Sequence, residues 1–300
     1  MPLARLVARA SEIGADGIEV NLGPKFRPIE GASFGGHLDT DALVRGETGE
    51  IQEVLDRHGV AITALAPMLN LLNADEGTRA ELSDYFRKAI DACVKLGVGV
   101  IVTYGGSPCG MHFWGMPGVS PNHPSNRVNE VVEVFRKVFT PLSAYAEERG
   151  VKIALETAPR GGGEGNIAHS PDLWDRIFDA VPNPAIGLSF DPSHLYWLGV
   201  PDVPNVIRTY RERVHHVDGK DAEILTEVLA KQGVTGSGWW RYRLPGLGAL
   251  DWAAILSSLR EIGYDYAIAI ENEDPVLHGL PGVGYSIAHL RRLLLPEVRG

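Results

Sequence analysis

The sequence predicts one parallel α/β barrel of the TIM type, and three observations carry that expectation. Short apolar runs alternate with amphipathic helical stretches along the whole chain, with no composition break that would serve as a linker, so residues 1–300 read as a single domain. The runs are rich in Ile, Leu and Val, as strands buried on both faces are. Four successive runs end in ionisable residues: KIALET at Glu156, AIGLSFD at Asp191, VHHVDGKD at Asp218, and YAIAIENED at Glu271 and Glu273. Ligands gather beyond the carboxyl ends of parallel strands, so charge there implies binding or chemistry. The 300 residues suffice for a barrel of about 250. A doubly wound open sheet is the alternative, but no GxGxxG or P-loop follows any strand.

Taken in order, LARLVARASEIGA has helical spacing and a Gly stop, and GIEVN is the first strand. A Gly/Pro-rich loop runs to about Leu38. TDALVRGETGEIQEVLDRHG reads as one capped helix and AITALAPMLNLL as the next strand. EGTRAELSDYFRKAIDACVKLG is a long amphipathic helix leading into GVIVTYGG. The loop SPCGMHFWGMPGVSPNHPSN is long and aromatic, in the manner of a lid. RVNEVVEVFRKVFTPLSAYAEERG is helical and leads to KIALET. After APRGGGEGN a helix opens at Ser170-Pro171, followed by AIGLSFD, a helix over about 203–213, and VHHVDGKD. A second long loop, KQGVTGSGWWRYRLPGLGALD, precedes the helix DWAAILSSLREIGY, the strand YAIAIENED and the closing helix SIAHLRRLLL. The total is about seven strands, starting from a helix. A barrel of eight wants one more strand before Leu3, so the barrel is seven-stranded or gapped, or a first strand is missing from the chain.

The formal net charge of -10 argues against nucleic acid and anionic membrane partners. Cys93 and Cys109 lack metal-type spacing and fit a reduced, cytoplasmic setting. No apolar run approaches the ~18 residues of a membrane span, and the start lacks a signal-peptide core. A soluble cytoplasmic protein is expected.

In a barrel, Glu156, Asp191, Asp218 and Glu271 come from neighbouring strands and converge on one rim. Converging carboxylates repel and call for a cation between them. Oxygen ligands suit Mn²⁺ or Mg²⁺, and an added imidazole widens the choice to Co²⁺, Zn²⁺ or Fe²⁺. Singly, each acid also reads as a helix cap or a salt bridge. His194, three residues after Asp191 in DPSH, is placed to bind a substrate hydroxyl, or else faces water at a helix start. Period-two alternation puts His216, Asp218 and Lys220 on one face and His215 on the other, against a helix. Lys220 would neutralise a substrate oxyanion or pair with an acid such as Asp191. Trp239, Trp240, Arg241 and Arg243, with His112, Phe113 and Trp114, read either as sugar-stacking and hydroxyl-holding groups or as loop packing. Gly161 to Gly163 lack the strand–helix context of a phosphate loop.

ALET, GLSFDPSH, HHVDGKDAEI, WWRYRLPGLGALDW and AIENEDP, in that order, resemble the xylose isomerase-like TIM-barrel superfamily, and most closely its sugar phosphate isomerase/epimerase group. The similarity runs from Leu3 across nearly the whole chain, and its second half is the specific part. The resemblance implies one divalent metal held by Glu, Asp, His and Glu at successive strand ends. Glu156, Asp191 and Glu271 fall on three of those positions. The family's HxHxKD run is here His216-Val217-Asp218-Gly219-Lys220-Asp221, so Asp218 stands where the ligand histidine belongs. Either Asp218 ligates in its place, or His216 does, or the metal site is degraded.

The implied activity is metal-dependent isomerisation or epimerisation of a keto sugar or sugar derivative through an enediolate. Glu156 and Glu271 would exchange the proton, with His194, His216, Lys220, Arg241 and Trp239 around the substrate. The same enolate chemistry ending in elimination would make a lyase or dehydratase on a keto-glycoside or related acid. A non-catalytic sugar-binding barrel is the third reading, which the departure at Asp218 supports. Pairing of copies through helices and long loops is compatible with such a barrel. The absence of a Lys/Arg cluster leans toward an unphosphorylated substrate.

Overall fold

A computed structural model of the chain describes residues 2–23, 37–108, 127–159, 165–200 and 202–294. Seven parallel strands form the sheet: β1 (Gly17–Asn21), β2 (Ala61–Ala66), β3 (Val100–Tyr104), β4 (Lys152–Glu156), β5 (Ile186–Phe190), β6 (Val214–Gly219) and β9 (Ile268–Ile270). They pair in chain order, from β1 at one end to β9 at the other. A short antiparallel hairpin, β7 (Asp221–Ile224) with β8 (Trp240–Arg243), leaves the top of β6. The result is a TIM-type α/β barrel that is nearly closed, with one unsealed seam between β1 and β9.

Helices cover the outside: α1 (Leu3–Glu12), α2 (Thr40–Val44), α3 (Gly49–His58), α4 (Glu76–Leu96), α5 (Val128–Glu147), α6 (Pro171–Ala180), α7 (Pro192–Trp197), α8 (Val203–Thr209), α9 (Thr226–Gln232), α10 (Trp252–Glu261) and α11 (Gly279–Leu293). The main core lies between strands and helices, where Ile101, Ile153, Leu188 and Val217 meet Phe86, Phe135, Phe139, Trp174 and Trp252. Inside the barrel the side chains are mostly smaller: Ala64, Ala66, Val100, Val102 and Ala154, with Tyr104 above them. Bulky residues outside and small ones inside leave the upper bore free for polar groups. Among the described residues, no helix is long and apolar enough to cross a membrane.

Several elements differ from the sequence expectation, each for a local reason. The stretch read as one helix over 40–59 is two, because Gly46 turns left-handed at φ 86° between α2 and α3. The second long loop contains β8 and the end of α9, since WRYR pairs residue for residue with the Asp221–Ile224 strand. The short helix α7 starts directly after Asp191, which caps it by accepting from the Ser193 N–H at 2.8 Å, with Pro192 at the first helical position. The aromatic loop expected as a lid, including His112, Phe113 and Trp114, lies outside the described residues, as does Gly161 to Gly163.

At the seam, β1 and β9 face each other without pairing. Two side-chain clamps cross it: the Tyr266 hydroxyl donates to the Thr63 carbonyl at 2.6 Å, and the Arg291 guanidinium donates to Asp16 at 2.8 Å and to the Gly14 carbonyl at 2.7 Å. A cavity of about 950 Å³ follows the seam from Leu6 and Leu280 on the outside to Glu19, Glu156, Asp218 and Glu271 at the mouth.

Candidate active site at the barrel mouth

β4 delivers Glu156 to the mouth, 7% exposed, with Oε1 accepting from the Ala158 N–H at 2.9 Å. The turn beyond it is pinned by fully buried Asn166, whose amide donates to the carbonyls of Glu156 (2.6 Å) and Ala158 (2.8 Å). β5 ends at Asp191, which is fully buried and whose N–H donates to Thr157 Oγ1 at 3.0 Å. Because Asp191 starts α7, His194 sits one turn on, stacked back over it. His194 Nε2 lies 3.0 Å from Asp191 Oδ2 and 3.6 Å from Glu156 Oε1. The Tyr242 hydroxyl, carried by β8, meets His194 Nδ1 at 3.0 Å. Glu156, Asp191 and His194 thus bring one ligand atom each within 4.8 Å of one another.

β6 supplies His216, Asp218 and Lys220. Ser189 Oγ donates to Asp218 Oδ2 at 2.8 Å and contacts His216 Nδ1 at 2.9 Å. The Ser189 hydroxyl hydrogen goes to Asp218, so His216 Nδ1 is the donor to Ser189 Oγ and its Nε2 is left as a lone pair. That lone pair faces Glu19 Oε2 of β1 at 3.5 Å. Glu19, His216 and Asp218 form a second compact group of donor atoms. Lys220 is 2% exposed, with Nζ 3.0 Å from Asp191, 2.6 Å from Glu271 and 3.0 Å from Glu273. Glu271 is therefore tied to an ammonium, on the Asp191 side of the mouth.

His215 does not pack against a helix. The β5–β6 register slips by one between Leu188 and Ser189, so the strict alternation breaks there. The ring lies beside Gly187 and bonds the Ile153 carbonyl at 3.3 Å. Gly187 shares parity with Ser189 and Asp191, so His215 belongs to the barrel floor. A cavity of about 470 Å³ opens there, lined by Lys152, His215, Tyr264 and Tyr266, with none of the mouth carboxylates.

Aromatic side chains wall one side of the mouth. Trp197 and Trp240 stack at 4.2 Å, Trp240 meets Tyr242 at 4.8 Å, and Lys220 Nζ sits 4.4 Å from the Tyr242 ring centre. Alternation along β8 sends Arg241 the other way, into an ion pair with Glu223. Arg243 is held by Glu223 at 2.8 Å and by Asp274 at 2.8 Å. Trp239 is buried, and its indole donates to the Val234 carbonyl at 3.2 Å. Of the hairpin side chains, Tyr242 reaches His194, while Arg241 and Trp239 brace the hairpin.

Electrostatics separate the two groups. Burial alone would raise the Asp191 carboxyl, but His194 and Lys220 hold it well below the usual carboxylate range. Burial works against a charged His194, yet Asp191 outweighs it and lifts the ring to about 9. Asp218 is pushed far up by burial and then by Glu156, Glu19, Asp191 and Glu271. Burial with the charges of Glu271 and Glu156 raises Glu19 to about 8, and burial lowers His216 to about 4. Burial raises Glu271 too, against the pull of Lys220, and its half-exposed side chain lets solvent weaken that push.

A divalent cation fits this donor set. Glu19 Oε2 and His216 Nε2 are buried without a hydrogen-bond partner, a costly condition unless something binds there, while Asp191 Oδ2 and His194 Nε2 pair with each other at 3.0 Å. The carboxylates Glu156, Asp191, Asp218 and Glu271 are the strand-end set, and a cation would let Asp218 ionise. Carboxylate oxygens with imidazole nearby are donors that divalent cations take. Glu19 is the acid of this group that sequence reasoning missed, although an acid on the inward face of β1 points to the same bore.

The family profile described as "Xylose isomerase-like TIM barrel" matches residues 7–293. The chain is 25% identical to YfiH, an uncharacterised protein of Bacillus subtilis, over 98% of this chain and 96% of that one. It is 25% identical to an inosose isomerase of Bacillus velezensis, over 74% of this chain and 70% of the relative. The apo structure of 3-keto-D-glucoside 4-epimerase, YcjR, from E. coli superposes with a TM-score of 0.68 at 16% identity, covering 97% of this chain and 94% of that one. At that identity the likeness speaks for the fold.

Proposed function

The chain belongs to the xylose isomerase-like TIM-barrel family, and from that premise we propose that it is a divalent-metal-dependent isomerase or epimerase of a keto sugar or sugar derivative. The observation that supports this most is the set of acids at four successive strand ends, Glu156, Asp191, Asp218 and Glu271, around a buried His194 and Lys220. Relatives named inosose isomerase and 3-keto-D-glucoside 4-epimerase agree with it. The cavity along the seam opens at Glu19, Glu156, Asp218 and Glu271, where a small polar substrate would meet the acids.

Glu156, Asp191, Asp218 and Glu271 would hold the ion, which when bound supplies Lewis acidity that polarises a carbonyl and acidifies the adjacent C–H. Glu156 of β4 and Glu271 beyond β9 remove the carbon-bound proton and return it on the opposite face. Lys220 balances the negative charge of the enediolate between those steps. His194 donates from Nε2 to a substrate oxygen, oriented from behind by Tyr242. The wall of Trp197, Trp240 and Tyr242 stacks against the sugar ring and excludes water.

The test is incubation with keto sugars in D₂O and Mn²⁺. An isomer that carries one deuteron on the exchanged carbon is expected, with Glu156→Gln and Glu271→Gln losing exchange at least 100-fold, in keeping with loss of an acid–base group worth roughly 10²–10⁴. Release of a fragment or of water would assign a lyase instead. Saturable binding without turnover would assign a sugar-binding barrel.

A further inference from the structure

We propose that the mouth holds a second divalent-cation site, formed by Glu19 of β1 with His216 and Asp218 of β6, beside the strand-end carboxylate set. One donor atom from each of the three lies within 4.8 Å of the others. His216 is fully buried, and its Nε2 has no hydrogen-bond partner although it points at Glu19 Oε2, itself buried and unpartnered, 3.5 Å away. Two lone-pair atoms set face to face in the interior are unfavourable unless a proton or a cation lies between them.

The surroundings prepare the imidazole as a ligand. Its Nδ1–H is taken by Ser189 Oγ at 2.9 Å, and that hydroxyl donates onward to Asp218 Oδ2 at 2.8 Å. A partner on the far nitrogen that fixes ring and tautomer is the usual support of a metal-binding histidine. Asp218 is common to both sets, and a carboxylate can bridge two cations about 4 Å apart. One nitrogen with two carboxylates selects Mn²⁺, Co²⁺, Fe²⁺ or Zn²⁺ over Mg²⁺. The chain would then offset the ligand histidine missing at Asp218 with an imidazole two residues earlier and an acid from the opposite side of the seam.

The inference rests on the reading that this mouth binds metal, and the experiment separates the two. The full chain is loaded with Mn²⁺ or Co²⁺, desalted, and its metal measured by mass spectrometry, with circular dichroism melts to confirm folding. Two ions per chain are expected, falling to one in Glu19→Gln and in His216→Asn, and to the other one in Glu156→Gln. The visible absorption of the Co²⁺ protein should change in His216→Asn, as loss of a nitrogen ligand requires. Should His216→Asn fail to fold, Glu19→Gln, an isosteric change on an edge strand, carries the test alone. One ion per chain, unchanged in Glu19→Gln, would overturn the second site and leave the proposed function standing; Glu19 would then share a proton with His216. One ion lost in every variant would mean a single merged site and equally overturn the inference. No ion in any form would overturn the metal dependence itself.

Discussion

The hydroxyl of Tyr242 sits 3.0 Å from Nδ1 of His194, and the two rings meet edge to face at 86°. This contact couples a hairpin outside the barrel to an imidazole inside it. Since His194 also touches Asp191 and Glu156, the orientation of one ring links the hairpin to both acids. Tyr242→Phe keeps the ring packing and removes only the hydrogen bond. It should lower kcat/KM by about 10-fold or more, as loss of an outer-shell partner does. The melting curve should move by no more than about 1–1.5 kcal/mol. Steady-state kinetics beside a thermal melt decide it; an unchanged kcat/KM sinks the positioning role.

Lys220 is the only buried ammonium among the described residues, and it faces Asp191, Glu271 and Glu273. Lys220→Met strips the countercharge from fully buried Asp191 and should destabilise the metal-free protein by about 3–5 kcal/mol, the usual cost of breaking a buried pair. Added Mn²⁺ should recover part of that loss. Urea unfolding with and without Mn²⁺ measures both. A loss under 1 kcal/mol would show that the carboxylates relax without it.

Burial, and after it the charge of Lys152, lowers His215 to about 4. A ring that titrates near 6.5 when unfolded is then held neutral in the fold. The stability it contributes is present above pH 6.5 and is lost as pH falls toward 4. The size is at most about 3 kcal/mol for a shift of this kind. His216 acts with the same sign. Urea unfolding of the metal-free protein from pH 7 to 4 should therefore show a shallower slope for His215→Asn than for the parent. Parallel slopes would contradict the assignment.

Asp274 anchors the base of the hairpin. Its carboxylate accepts from Arg243 Nε at 2.8 Å and from the N–H groups of Val276 (2.7 Å), Leu277 (3.0 Å) and Leu244 (3.2 Å). Burial alone would raise it, but these donors bring it down to about 2. Its contribution is present above the unfolded value near 3.9 and disappears as pH falls through about 2. Asp274→Asn should cost about 2–3 kcal/mol at neutral pH, the range for hydrogen bonds to a charged group. Protease nicking near residues 233–238 should rise with it, while an unaltered nicking rate would mean that Arg243 holds the hairpin without Asp274.

The strand ends were legible in the sequence because a buried apolar strand that finishes in charge has few structural excuses. The seven-strand order followed from the same alternation. Glu19 was harder to see: one acid inside GIEVN forms no cluster along the chain, and its partner His216 is nearly two hundred residues away. His215 was misplaced because period-two reasoning assumes an unbroken ladder, and the slip between Leu188 and Ser189 breaks it. Tyr242 went unnamed in the sequence because WRYR was read as part of a loop, where no alternation singles out one side chain. Once WRYR is recognised as a strand, alternation assigns the tyrosine inward and the arginine outward. Lys220 was open between substrate and Asp191, and only the approach of β9 adds Glu271 and Glu273 to its partners.

A fully bonded barrel has a bore whose width is fixed by an endless ladder of hydrogen bonds. This one is a split ring. Among the described residues the gap between β1 and β9 is bridged by two side-chain clamps, Tyr266 to Thr63 and Arg291 to Asp16, and by no backbone ladder. Glu19 on β1 and Glu271 just beyond β9 belong to the two strands that border this gap. No ladder of hydrogen bonds sets the distance between them, whereas the paired strands β4 and β5 set that between Glu156 and Asp191.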